Sequence, residues 1–234
     1  MGAVVAEGCE ISRARTARHI ARHHHLGAYA AVVLRGGYVE AGDRGRFAAA
    51  AGDVLLHDRF EAHQDQFGSG GADILNVPIA GAPDFAFGRI ADPDALARQA
   101  ERDVQAAGWL LIEQLEPADG AAADWPDLLA SALREGEVAD LASWARSRSL
   151  LPSSVSRGFR RCYGLSPKRF RLELRAARAA RAAVRGLEPL AWVAAGAGFA
   201  DQAHMCRTVK QVYGRAPSAL RPAKSVQDGS PGPA

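Results

Sequence analysis

Short apolar runs separated by glycine-rich stretches dominate the first third of the chain. Three of these runs are AYAAVVL (28–34), DVLLH (53–57) and DILNVPI (73–79). Glycine-rich stretches lie at 36–37 and 68–71, and glycine favours tight turns because it adopts positive φ at no steric cost. Apolar runs of this length between turns are typical of β-strands. This part of the sequence therefore predicts a small β-sandwich or barrel.

The hydrophobic period becomes helical between residues 92 and 135. Asp92-Pro93 opens this segment, because aspartate caps a helix N-terminus well and proline suits the first helical turn. A second helical piece runs from Trp125 to Leu133, after the polar break ADGAAAD. The pattern leaves three roles open for these helices: packing against the predicted sheet, pairing with a second chain, or linking two modules.

Mostly short helices are predicted from residue 138 to residue 221. The apolar residues of VADLASWA (138–145) have the i, i+3, i+4, i+7 spacing of one buried helix face. A long helix rich in arginine and alanine begins at Ser166-Pro167 and runs to Gly186. The segment YGLSP (163–167) is echoed by YGRAP (213–217), 50 residues further along. This repeat predicts two copies of one helix-turn-helix unit.

Together these patterns predict an α+β protein with an N-terminal β-barrel or sandwich, a helical linker and an all-α C-terminal domain. The predicted boundaries are 10–90 for the β-domain, 91–136 for the linker and 137–222 for the two helix-turn-helix units. The linker is also the candidate dimerisation segment. Residues 223–234 have the composition of a disordered tail.

Charge divides the chain at the same boundary. The 234 residues are 48% hydrophobic and 24% charged, as expected of a globular protein. Residues 1–137 contain 12 Arg, no Lys and 21 acidic residues, a net charge of −9, whereas residues 138–224 contain 17 basic and four acidic residues, a net charge of +13. Such a basic helical module indicates a polyanionic partner. No apolar run reaches the roughly 18 residues of a membrane span, and three widely spaced cysteines predict no disulfide framework.

Each helix-turn-helix unit contains one amphipathic helix whose polar face suits the major groove. In the first unit, the predicted buried edge is Leu151, Val155 and Phe159, and the outward residues are Ser153, Ser156, Arg157 and Arg160. In the second unit, the buried edge is Met205, Val209 and Val212, and the outward residues are Gln202, Ala203, Cys206, Arg207 and Lys210. Arginine binds guanine and glutamine binds adenine through paired hydrogen bonds, and small residues let the helix backbone approach the bases. One such helix alone is more typical of a solvated surface, but two matched copies in a strongly basic region favour DNA, so we predict DNA contacts from both outward faces.

The region 138–221 resembles, over its whole length, the DNA-binding domain of the AraC/XylS family of transcription regulators. The matching segments are SVSRGFRRCYGLSPKRF in the first unit and AGFADQAHMCRTVKQVYGRAPSALR in the second. The resemblance implies base contacts from Ser153, Ser156, Arg157, Gln202, Ala203, Cys206 and Arg207. Three positions depart from the family pattern. Leu151 replaces a Ser or Thr helix cap, Val209 replaces a Phe, and Ala216 replaces a Ser or Thr, so we expect softer helix packing but no lost contact.

The N-terminal region resembles the cupin-like sensor domain of the same family through weaker motifs. The resemblance implies a barrel whose interior contacts a small molecule, with the candidate contacts His23, His25, Tyr29, His57 and His63. His19 and His24 are expected on the surface. His23, His25 and His63 together would suit zinc, but Tyr29 and Ala30 stand where the cupin metal pattern has its glutamate. We therefore expect ligand-contacting histidines and no metal cofactor.

The sequence thus predicts a cytoplasmic, non-enzymatic and sequence-specific DNA-binding regulator that responds to a small-molecule effector. The expected partners are double-stranded DNA, the effector, a second copy of the chain and RNA polymerase, and no membrane is expected. Two other functions stay open. A metal-dependent cupin enzyme with a basic appendage would bind stoichiometric metal through the three histidines. A non-specific architectural protein would bind all DNA sequences alike.

Overall fold

The structure is a computed structural model that describes residues 4–5, 10–186 and 188–221. The tail predicted at 223–234 lies outside the described residues. The strands are β1 (Val4–Val5), β2 (Glu10–Ala14), β3 (Arg18–His25), β4 (Tyr29–Gly42), β5 (Gly45–Ala50), β6 (Asp53–His57), β7 (Ala62–Pro78), β8 (Phe87–Arg89) and β9 (Glu116–Pro117). The helices are α1 (Pro93–Arg102), α2 (Val104–Gln114), α3 (Trp125–Glu135), α4 (Leu141–Ser147), α5 (Pro152–Tyr163), α6 (Pro167–Arg185), α7 (Leu190–Gly196), α8 (Gln202–Tyr213) and α9 (Pro217–Leu220). None of these helices is both long enough and apolar enough to cross a membrane.

The strands form one sheet in the order β1-β3-β7-β4-β6-β8-β9, with β2 also on β7 and β5 also on β4. Alternate residues of β4 point to opposite faces, as in any strand. Tyr29, Ala31 and Val33 join an inner cluster with residues of β2, β5, β7 and β8. Because β2 and β7 on one side of β4, and β6 and β8 on the other, all contribute to this cluster, the sheet curls into an open barrel, called the barrel below. The expected β-domain is confirmed.

The turns expected at 36–37 and 68–71 are wrong, because both glycine-rich stretches lie inside long strands. β4 and β7 pair from Tyr29↔Pro78 to Gly42↔His63, with register shifts around Gly36. Gly36 and Gly71 have φ values of 71° and 64°. A Cβ on Gly36 would lie 2.2 Å from the backbone oxygen of Gly71. Glycine here permits bulges and a close backbone approach rather than chain reversal.

The helices of the predicted linker divide between the two parts of the molecule. Leu96 of α1 and Leu111 of α2 are buried against Val32 and Val77 on the outer face of the sheet. α3 instead packs its Leu129 into a cluster with α5 and α6. Of the three roles left open by the sequence, packing against the sheet is what α1 and α2 do. The expected cap of α1 is confirmed, since the Asp92 carboxylate accepts a hydrogen bond from the Ala95 amide at 2.7 Å.

The long helix α6 is shared by both helix-turn-helix units. Its first half contributes Phe170 and Leu174 to the cluster that holds α3, α4 and α5. Its second half contributes the buried alanines between 176 and 180 to the cluster that holds α7 and α8. Ser166 caps its start and Gly186, at a φ of 69°, ends it, as the sequence predicts. The first helix of the domain begins at Leu141, three residues later than the apolar spacing indicated.

The Tyr-Gly corner of each helix-turn-helix unit contacts the rest of the molecule. The Tyr163 hydroxyl donates a hydrogen bond to the Asp127 carboxylate of α3 at 2.8 Å. The Tyr213 hydroxyl donates to the backbone oxygen of Phe60, in the barrel, at 2.8 Å. Next to Tyr163, the Gln64 side chain of the barrel donates to the backbone oxygen of Cys162 at 2.8 Å. The helices that carry the predicted DNA contacts, α5 and α8, are therefore held at their C-terminal ends, and they are called the recognition helices below.

Alanine at the two glycine corners will separate docking on the barrel from local backbone strain. Gly164 and Gly214 have nearly equal φ values of 78° and 73°, so alanine costs each roughly 1–2 kcal/mol of left-handed strain. At Gly164, a Cβ would also lie 2.3 Å from Gln64 Oε1, whereas at Gly214 no atom of the described residues lies within 4 Å. We expect Gly164→Ala to lower the free energy of unfolding by about 1 kcal/mol more than Gly214→Ala, because displacing Gln64 breaks its hydrogen bond.

Urea unfolding of the two variants measures this difference. In a Gln64→Ala background the two substitutions should cost the same. Equal losses in the wild-type background would contradict the docking of this corner on Gln64.

Candidate nucleic-acid interface and barrel pocket

The polar face of α5 is exposed as predicted. Ser153, Ser156, Arg157 and Arg160 are all exposed, while Val155 and Phe159 are fully buried. The buried side of α5 packs on α3 and α6, which fixes the direction of the polar face. The structure therefore brings the four predicted residues of the first unit together on one free surface.

Leu151 corrects the predicted buried edge of this helix. Its side chain is 70% exposed, because Leu151 occupies the N-cap position with extended backbone angles, ahead of the first helical turn. Among the described residues, no side chain caps the helix there. Loss of a polar cap typically costs about 0.5–2 kcal/mol, so α5 depends on packing for its stability.

The polar face of α8 repeats the arrangement. Gln202, Ala203, Arg207 and Lys210 are exposed, and Met205, Val209 and Val212 are buried. Cys206, predicted to point outward, is half-buried and packs against the α6–α8 cluster. Asp201 caps the helix by accepting a hydrogen bond from the His204 amide at 2.6 Å.

The basic side chains on the polar faces of α5 and α8 favour binding of a polyanion to both faces. The ion pairs within the described part of the helical domain use Arg169 with Glu173, and Arg181 pairs with acids of the barrel. Arg157 and Arg207, at matching places in the two units, thus have no carboxylate partner among the described residues. Their guanidinium groups are available to bind phosphates or base edges.

Four of the five candidate residues, His23, His25, Tyr29 and His63, line a cavity of about 580 Å³ inside the barrel, and the fifth, His57, lies outside this lining. The Tyr29 hydroxyl lies between two of the imidazoles, 3.2 Å from His25 Nε2 and 3.4 Å from His63 Nε2. The His23 ring contacts the His63 ring edge-to-face at 4.4 Å between centroids. His57 is buried and stacks on Tyr29, with ring centroids 4.4 Å apart. The structure brings all five predicted residues together.

Two carboxylates that line this cavity were not predicted from the sequence. Glu40 is buried and its Oε2 lies 3.4 Å from His57 Nε2, and Tyr38 donates a hydrogen bond to it. Asp65 is also buried, with Oδ2 3.8 Å from His63 Nε2. The alternating pattern of β4 and β7 placed both on the inner face, but charged residues in such positions resemble surface residues until the pairing register is known.

His24 corrects another expectation, because it is buried rather than on the surface. β3 sends His23 and His25 into the cavity and Arg22 and His24 towards α6. Arg22 binds the carboxylates of both Asp43, at the end of the barrel strand β4, and Glu173 of α6. His24 Nε2 lies 3.4 Å from the same Glu173 carboxylate.

Burial and charge shift the pKa values of these groups in opposite directions. Burial lowers the pKa of His25 to about 3, with nearby histidines adding to the effect, and burial lowers the pKa of His23 and, much further, of His63. These imidazoles are neutral at pH 7. Burial opposes ionisation of Glu173, but His24, Arg22 and Arg169 outweigh it and hold its pKa at about 2. The cavity thus offers neutral ring nitrogens, while the contact with α6 is ionic.

The three imidazoles also fit a metal ion in part. The ligand atoms of His23, His25 and His63 lie within 4.8 Å of one another, and His63 Nδ1 is buried with no hydrogen-bond partner in the described residues. However, the Tyr29 hydroxyl already lies between the Nε2 atoms of His25 and His63. A metal bound through those two atoms would displace this hydroxyl.

Acidification should destabilise the protein through these histidines. Their folded pKa lies below the unfolded value of about 6.5, so stability is lost as the pH falls below 6.5. Near pH 5, His25→Gln should reduce the dependence of the unfolding free energy on pH by about 1.4 kcal/mol per pH unit, which corresponds to one proton. The raised pKa of buried Asp65 acts in the opposite direction in both proteins.

Urea unfolding between pH 7.5 and pH 5 checks this expectation, with the exposed His19→Gln as the control variant. Identical pH dependence of the two variants would show that His25 is not a buried neutral group.

The helical region matches known proteins more clearly than the barrel does. Residues 144–223 match the sequence model of a family described as a helix-turn-helix domain. No curated protein sequence is significantly similar to the chain. ToxT from Vibrio cholerae, in a structure with a bound unsaturated fatty acid, is similar over 89% of this chain and 92% of ToxT, at 8% identity and a TM-score of 0.39. The C-terminal domain of AraT, a response regulator from Geobacillus stearothermophilus, is similar over 46% of this chain and 95% of that domain, at 17% identity and a TM-score of 0.37.

With TM-scores below 0.5, neither structural likeness adds to the functional argument. The family match covers both helix-turn-helix units, whose motifs and exposed polar faces are described above. Residues 144–223 therefore form a helix-turn-helix domain, as the resemblance to AraC/XylS regulators implied, and the chain is a DNA-binding transcription regulator.

Proposed function

We propose that this regulator reads a specific DNA sequence with α5 and α8, which enter successive major-groove segments of one duplex. The observation that carries this proposal is the matched pair of exposed polar faces, each on a helix with a buried opposite side. α6 packs against both units and holds them as one body. Two recognition helices in one chain match successive groove segments when they lie about 34 Å apart.

The proposed effector site is the cavity inside the barrel. A volume of about 580 Å³ is within the range of small-molecule sites. Its wall combines neutral imidazoles, the hydroxyls of Tyr29 and Tyr38, and apolar side chains such as Phe67 and Ile74. Such a lining suits a partly apolar molecule with a few hydrogen-bonding groups.

β3 provides the route from this cavity to the DNA-binding domain. His23 and His25 face the cavity. Arg22, which precedes His23, and His24, which lies between the two histidines, contact Glu173 of α6. A ligand that displaces the β3 backbone through the histidines also displaces Arg22 and His24. That movement reaches α6, which positions both recognition helices.

We propose that the barrel performs no catalysis and holds no metal, because Tyr29 occupies the centre of the histidine cluster. The alternative, a metal-dependent cupin enzyme, is favoured by the spacing of His23, His25 and His63. It is also favoured by a second group, Glu40, His57 and His63, whose ligand atoms lie equally close. Metal analysis of the purified protein decides between them, since one bound zinc or iron ion per chain would support the enzyme.

Self-association is proposed through the exposed face of α2. Trp109 is 72% exposed and Ile112 is 41% exposed, an apolar surface typical of interfaces. A second copy is the proposed occupant, and RNA polymerase is proposed as the partner of the DNA-bound form.

Arg157 and Arg207 provide the test of sequence reading. If each binds a guanine edge, Arg157→Ala and Arg207→Ala should each weaken binding to the cognate site by about 1–3 kcal/mol. The loss should be confined to one base position per arginine, with the two positions about one helical turn apart. Binding measured against single-base variants of a site selected from random duplexes gives this profile.

Arg98→Ala, an exposed substitution on α1 beside the barrel, is the control and should leave the profile unchanged. An equal loss on every DNA sequence would instead make the two arginines phosphate contacts, and binding without any base preference would support the architectural alternative.

A further inference from the structure

A second cavity lies between the barrel and α6, outside the proposed effector site. Its volume is about 410 Å³. Four arginines from three different parts of the fold line it: Arg44 from the turn after β4, Arg134 from α3, and Arg178 and Arg181 from successive turns of α6. We call this cavity the arginine cleft.

Two of the four guanidinium groups bind only neutral oxygens within the described part of the chain. Arg134 donates to the backbone oxygen of Asp43 at 3.3 Å and to Ser131 Oγ at 3.2 Å. Arg178 donates to the backbone oxygen of Arg134. Arg44 donates to the backbone oxygen of Pro83 at 2.7 Å, but its Nη1 is buried with no partner in the described residues.

The carboxylates of the arginine cleft do not balance this charge. Asp43 already binds the buried Arg22. Glu61 is shared, with Oε1 4.0 Å from Arg44 Nε and 3.9 Å from Arg181 Nη1. Asp84, the third acid in the lining, is exposed. Arg181 also lies 3.8 Å from Asp58, outside the lining. With Asp43 bound to Arg22 and Arg181 bound to Asp58, three arginines face Glu61 and Asp84, which leaves one positive charge in excess.

We propose that the arginine cleft binds the phosphate group of a small molecule. A phosphate is an anion at neutral pH, which the positive excess favours, and its oxygens accept paired hydrogen bonds from guanidinium groups. The unpartnered Arg44 Nη1 and the carboxylate-free Arg134 and Arg178 are the proposed donors. The cleft has few apolar residues, among them Leu174 and Ala177, so it does not suit a long acyl chain.

The bound phosphate joins the two halves of the molecule. Arg44 belongs to the barrel, and Arg178 belongs to the helix that carries both DNA-binding units. Binding therefore strengthens the attachment of the barrel to α6 at a point separate from Arg22. This role is independent of what the barrel cavity binds and of how α5 and α8 read DNA.

Thermal unfolding of the full chain tests the proposal, with inorganic phosphate and glycerol 3-phosphate as probes at constant ionic strength and pH 7.5. Both should raise the unfolding temperature of the wild type in a saturable way. Arg178→Gln and Arg134→Gln should weaken the apparent affinity at least tenfold. Arg185→Gln, on the same helix but outside the cleft lining, should behave like the wild type.

The outcomes are distinct. A response to inorganic phosphate alone makes the free ion the ligand, and a response to both probes extends the site to phosphate esters. Equal responses of Arg178→Gln, Arg134→Gln and Arg185→Gln would mean an adventitious ion only and overturn the proposal, as would an equal response to acetate. Affinity for duplex DNA, measured without phosphate, should stay within twofold in Arg178→Gln; a tenfold loss would make the cleft a DNA backbone contact instead.

Discussion

The buried guanidinium of Arg22 holds the two halves of this regulator together. It binds Asp43 on the barrel and Glu173 on α6, and it lies over the Phe170 ring, 5.4 Å from its centroid. Its side chain is only 6% exposed. Burying such an ion pair gains little net stability, but removing one partner typically costs about 3–5 kcal/mol because a buried charge is left unpaired. Arg22 therefore acts mainly as a constraint on geometry: it accepts only one placement of α6 against the barrel.

The position of both recognition helices follows from that constraint. α6 belongs to two hydrophobic clusters, one with α5 and one with α8, so fixing α6 fixes both. Tyr213 adds a second attachment, since its ring packs on His24 and Phe60 and its hydroxyl donates to the barrel backbone. The barrel contributes to DNA binding without touching DNA in this account: it controls how two rigid reading units are presented.

Local patterns predicted the parts of this structure that local physics determines. The outward faces of α5 and α8 followed from the 3.6-residue period, and the cap at Ser166 followed from side-chain chemistry. The prediction that Leu151 is buried was wrong, because a residue at the N-cap does not continue the helical period. The prediction that His24 is exposed was wrong, because one face of β3 lies inside the barrel and the other packs against α6. Alternation along β3 therefore does not separate buried from exposed residues. Arg22 and Glu173 are 151 positions apart in sequence, and nothing local links an arginine to such a distant carboxylate.

Calorimetry of the full chain tests the central claim, that Arg22 makes the barrel and the helical domain one cooperative body. In phosphate-free buffer, the wild type should unfold in a single transition whose calorimetric and van't Hoff enthalpies agree. Arg22→Met replaces the guanidinium with an unbranched apolar side chain and so removes the charge. This variant should unfold in two separate transitions. Two transitions in the wild type, or one transition with an unchanged midpoint in Arg22→Met, would contradict the account.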